Sequence, residues 1–76
     1  MKSLTISLDA IEKVRNFVNI IARYDGDFDL VSGRHVIDAK SIMGIFSLDL
    51  SKALTLEIHN ESVYDTVANE LKEFMV

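Results

Sequence analysis

The sequence predicts an α+β fold in the order β-α-β-β-α-β-α, with three helices on one face of a four-stranded antiparallel sheet. Three observations lead there. Four short runs alternate apolar and polar residues, the period of half-buried strands. Three stretches repeat their apolar residues at helical spacing, each with one apolar face. The strands' other faces carry Ser3, Thr5, Ser7, Asp27, Asp29, Thr55 and Glu57, polar enough to meet water. A sheet with one solvated face is typically antiparallel.

Each element has its own signal. Leu4, Ile6 and Leu8 alternate with polar neighbours from Ser3 to Leu8. Asp9 and Glu12 then suit a helix cap and the third helical position. Ile11, Val14, Phe17, Val18, Ile21 and Tyr24 follow as one stripe, with Gly26 placed to end the helix. Phe28 and Leu30 mark a second strand, and Ser32-Gly33 is a turn before a hairpin partner over Arg34 to Ile37. A short helix starts near Ser41, although Gly44 disfavours it. Leu54, Leu56 and Ile58 form the last strand. Asn60-Glu61-Ser62 offers cap candidates, and Tyr64, Val67, Ala68, Leu71, Phe74 and Met75 form the closing helical stripe.

Composition narrows the function. The 76 residues form a single domain spanning 1–76, with 49% hydrophobic and 26% charged residues. Without cysteine there is no disulfide, thiolate metal site or cysteine nucleophile. A net charge of −4 argues against direct nucleic-acid binding, which needs a basic face. No apolar run reaches the length of a membrane span. The opening Met1-Lys2-Ser3-Leu4 has no signal-peptide pattern, so a cytoplasmic protein is expected.

Few residues offer chemistry. No Gly-rich phosphate loop or nucleophile motif occurs. Asp25-Gly26-Asp27-Phe28-Asp29 fails as a calcium loop: Leu30 stands where glycine is required and Val36 where a bidentate Glu is required. His35 and His59 read as exposed strand-end histidines, without an adjacent orienting partner beyond Asp38 near His35. No metal site and no cofactor are expected. Ser41 is placed to cap the short helix, and a phosphoryl group there would meet free amides. Ile42, Met43, Ile45, Phe46, Leu48 and Leu50 crowd nine positions. Ile45 and Leu48 suit the core. Ile42, Met43 and Phe46 are then either buried by a tilted helix or left as a docking patch. The reading adopted is that all three lie together at the surface, where a protein partner or a second copy of the chain covers them.

The run from Asp38 to Leu48, Asp38-Ala39-Lys40-Ser41-Ile42-Met43-Gly44-Ile45-Phe46-Ser47-Leu48, resembles the second helix of HPr, the phosphocarrier of the bacterial sugar phosphotransferase system. The resemblance extends to Arg23-Tyr24-Asp25-Gly26-Asp27, to Leu54-Thr55-Leu56-Glu57-Ile58 and to the closing helix. It implies an HPr-like open-faced β-sandwich. It also implies that Ser41 matches the serine phosphorylated by a dedicated kinase in Gram-positive bacteria. Ile42, Met43 and Phe46, with Lys40 beside them, match the patch through which HPr meets its partners. The first third departs from the family. Counted back from Arg23, Ala10 falls at the phosphoryl-accepting histidine, Glu12 at the stabilising arginine and Lys13 at the proline.

The resemblance therefore implies an HPr-like protein that is not an enzyme and has lost its acceptor. Its expected role is regulatory docking through Lys40, Ile42, Met43 and Phe46, switched by phosphorylation of Ser41. Expected partners are proteins: a serine kinase, a transcription regulator or phosphotransferase components, with a homodimer as a further option. Two alternatives stand beside it. One is a working phosphocarrier with His35 or His59 as a displaced acceptor. The other is a structural remnant without a switch.

Overall fold

The computed structural model describes residues 1–76. Strand β1 spans Lys2–Ile6, α1 Ile11–Ile21, β2 Phe28–Ser32, β3 His35–Asp38, α2 Ile42–Phe46, β4 Leu54–Ile58 and α3 Tyr64–Glu70. Short 3₁₀ turns, Glu61–Val63 and Lys72–Phe74, flank α3. The strands form one antiparallel sheet in the order β1-β4-β2-β3. The expected α+β architecture is the one observed.

Register sorts the strand side chains into two faces. Leu4, Leu56, Leu30 and Ile37 form one row across the sheet, on the side covered by the helices. Val14, Phe17 and Ile21 of α1, Ile45 of α2 and Val67 of α3 join them in one core cluster. Phe17 meets Phe74 edge-on, with ring centroids 6.2 Å apart, a favoured aromatic arrangement. All 17 buried residues are apolar, so any polar chemistry must lie at the surface. On the opposite face, Ser3, Glu57, Asp29 and Asp38 form one row, and Thr5, Thr55, Val31 and Val36 the next.

Several local expectations are corrected. The cap of α1 is Ala10 rather than Asp9, and it makes no side-chain hydrogen bond. The Asp9 carboxylate instead accepts from Lys13 Nζ at 2.9 Å, one helical turn on. Ile11, in the first turn, is 67% exposed and outside the core stripe. At the other end α1 stops at Ile21, and the amides of Arg23 and Tyr24 continue as tighter turns onto Ile20 and Ile21. Tyr24 therefore lies beyond the helix. The closing helix breaks at Leu71, and the chain ends along β1: the Ser7 amide donates to Phe74 and the Val76 amide to Thr5. These bonds cover part of an edge strand that would otherwise present free backbone groups.

Two glycines have conformational reasons. Gly33, at φ +60°, is the first residue of the two-residue β2–β3 turn, where a primed hairpin turn needs positive φ. Gly26, at φ +101°, does not end α1 but passes close to Asn60, and a Cβ on Gly26 would stand 3.0 Å from the Asn60 Cβ. Asn60 in turn caps the 3₁₀ turn by accepting from the Ser62 amide at 3.2 Å. Gly26→Ala therefore meets strain in the backbone and crowding at the side chain. It is expected to destabilise the fold by about 1–3 kcal/mol, read from denaturant unfolding.

Candidate functional site

The residues singled out around α2 occupy distinct environments. Ser41 is exposed and caps the helix, its Oγ accepting from the Gly44 amide at 3.1 Å. That geometry also accounts for a glycine within so short a helix. A Cβ on Gly44 would stand 3.2 Å from Ser41 Oγ and 3.6 Å from the Ile37 Cβ. Met43 is 76% exposed and Phe46 40% exposed, three residues apart and hence neighbours on the helix surface.

Two docking residues stand differently from expectation. Ile42 is half-buried and packs against the core. It lies three residues before the fully buried Ile45, so the two share the inward side of this five-residue helix. The expectation that Ile42, Met43 and Phe46 project together is thus corrected: Met43 and Phe46 form the exposed part, with Ile42 at its inner margin. Lys40 is turned inward. Its Nζ donates to the Tyr24 carbonyl at 2.6 Å and sits 5.4 Å from the Phe28 ring centroid. Its ammonium is thereby engaged in joining the α2 entry loop to the loop after α1. The Lys40 backbone amide donates to Asp38 Oδ1 at 2.9 Å, holding the turn that leads to Ser41.

The start of α1 is a separate place. Ala10 stands at its cap, flanked by Asp9 and Glu12. Lys13 holds the Asp9 carboxyl below the usual carboxylate range, first by its hydrogen bond and then by its charge. The nearby cation is thereby engaged with a carboxylate. Further along α1, Glu12, Arg15, Asn16 and Asn19 line an open depression with no apolar wall.

Register locates the two histidines. Ile6, Leu54, Ser32 and His35 mark one end of the sheet, the end from which the chain enters α1. His35 is there, but on β3, at the opposite edge from β1. Three strand spacings separate those edges, roughly 14 Å. His59 follows β4 at the other end of the sheet. It is not without a partner: its Nε2 lies 2.8 Å from Asp29 Oδ2, and Glu57 stands beside them. The sequence hides this cluster because Asp29 and His59 are thirty positions apart. Its one available signal is that β2 and β4, if paired antiparallel, place Asp29 opposite Glu57.

No family model matches the chain, and no curated protein does. Among solved structures, the crystal structure of HPr-C-His from Thermoanaerobacter tengcongensis is similar, with a TM-score of 0.74 and 26% sequence identity. The match covers 96% of this chain and 92% of that chain. The likeness thus runs through the whole frame that carries α2 and the start of α1, and the architecture is the HPr-like open-faced sandwich.

Proposed function

We propose that this HPr-like protein acts by docking to other proteins through α2 rather than by carrying a phosphoryl group, and that phosphorylation of Ser41 switches the docking. The observation that carries this reading is the contrast between two helix starts. At α1 the cap is Ala10, whose methyl group cannot accept a phosphoryl group, with Asp9 and Glu12 close in sequence. At α2 the cap is an exposed serine, at the start of the helix that carries the exposed Met43 and Phe46.

The switch follows from electrostatics. A phosphoryl group adds close to two negative charges at neutral pH. On Ser41 it would stand at the start of the helix that carries the apolar Met43 and Phe46, which disfavours a partner that desolvates the helix end and favours one that offers arginine or lysine. Lys40 contributes through position, since its ammonium is held on Tyr24. Partners of this kind include a serine kinase, a transcription regulator or phosphotransferase components, with Phe46 and Met43 as anchors. A cytoplasmic location accords with this reading, and no helix is long and apolar enough to cross a membrane.

The test is treatment with the HPr serine kinase and ATP, followed by intact-mass measurement. One acid-stable phosphoryl group is expected on the wild type and none on Ser41→Ala; a gain that persists in Ser41→Ala refutes the assignment. Stability measurements separate the cap from the switch. Ser41→Ala removes the hydrogen bond to the Gly44 amide and is expected to cost about 1 kcal/mol. Ser41→Asp retains a capping oxygen and is expected to remain within about 1 kcal/mol of wild type. Thermal unfolding of both variants checks this, and a much larger loss in Ser41→Asp would make the hydroxyl purely structural.

A further inference from the structure

The open face of the sheet carries an unbalanced charge pattern. Glu57 pairs in register with Asp29, and Asp29 pairs with Asp38, so three carboxylates stand in adjacent places across β4, β2 and β3. Like charges directly opposite one another destabilise a sheet. No lysine or arginine forms an ion pair with any of the three. The Lys40 ammonium is engaged elsewhere, and only its backbone amide reaches Asp38. The single compensating side chain is His59, on Asp29, and imidazole is charged only when protonated.

We propose that Asp29, Glu57 and His59 form a binding site for one divalent transition-metal ion of the zinc type. Three features support it. First, one imidazole nitrogen and two carboxylate oxygens form a mixed donor set suited to zinc. Calcium takes six to eight oxygens, and magnesium prefers an octahedral oxygen shell. Second, the donor atoms all lie within 4.8 Å of one another. Donors on a tetrahedral zinc with ~2.0 Å bonds are about 3.3 Å apart, so modest side-chain rotations at a solvent-facing surface bring them in. Third, the supports are firm. Asp29 and Glu57 are paired in the central strands, and the His59 amide donates to the Asp27 carbonyl at 3.1 Å. The ion would use the imidazole in its neutral form and offset the carboxylate repulsion. Its fourth position would face water, where a further ligand could enter. This site lies outside the α2 surface and does not depend on the docking reading.

Calorimetric titration of the untagged full chain with ZnCl₂ tests the proposal, supported by NMR of the histidine ring signals. One equivalent of zinc is expected to bind, with the His59 signals shifting and those of His35 unmoved. His59→Ala and Asp29→Asn are each expected to weaken binding at least about tenfold. Zinc should also raise the melting temperature of the wild type, as any ligand selective for the folded state does. No binding up to about 1 mM zinc, corresponding to an affinity of only about −4 kcal/mol, would overturn the proposal. So would wild-type ring shifts confined to His35, binding undiminished in His59→Ala, or calcium binding more tightly than zinc. The NMR readout on the wild type decides the site even if a variant folds poorly.

Discussion

Incubated with the general phosphotransferase enzyme and phosphoenolpyruvate, the protein is expected to gain no acid-labile phosphoryl group. Transfer of that kind needs an imidazole nitrogen where the donor docks and positive charge around the incoming oxygens. The resemblance to HPr sets Ala10 at the acceptor position, where a methyl group would supply neither, and Lys13 is engaged with Asp9. The two histidines are poorly placed to substitute. His35 lies on the edge strand farthest from β1, and His59 is at the other end of the sheet against Asp29. Intact mass before and after mild acid reads the outcome directly. The expected contrast with a working phosphocarrier is all or none, the largest functional effect anticipated here. An acid-labile gain of one phosphoryl group, abolished by His35→Ala or His59→Ala, would instead establish a displaced acceptor and remove the main support for a docking role.

The sheet was legible because alternation and register are linked. Once Leu4, Leu30 and Leu56 are assigned inward, period two places Asp29 and Glu57 on the other face. Ser41 was legible as a cap because a hydroxyl before a short apolar helix has few competing local partners. Asp9 reads as a cap in the sequence and is not one, for the opposite reason. Its carboxylate has a second partner in Lys13 four residues on, and that ion pair is the one formed. The closing stripe concealed a break, since the step from Leu71 to Phe74 is three residues and suits an α-helix or a 3₁₀ turn equally. The His59 cluster required knowledge of which strands are neighbours. Hydropathy assigns a face to each residue but does not order the strands, and only the placement of β2 beside β4 brings Asp29 and His59 together.

Substitutions along α2 are expected to divide sharply by face. Ile45 is fully buried and joins the core formed by the strands and α1. Ile45→Ala removes buried carbons and leaves a cavity that close-packed neighbours fill only in part, for an expected loss of about 2–5 kcal/mol. In a domain of this size that is a large share of total stability, and the variant should unfold at markedly lower denaturant. Met43→Ser changes a side chain already in water and should remain within about 0.5 kcal/mol of wild type. Phe46→Ser is intermediate because its ring is partly covered, with an expected cost of about 1 kcal/mol. Denaturant unfolding of the three variants measures the division. If Met43→Ser or Phe46→Ser costs as much as Ile45→Ala, the outer side of α2 is core and cannot serve as a docking surface. If both keep the fold while reducing binding to a partner or a second copy of the chain, the residues that stabilise α2 and those that use it are separate sets.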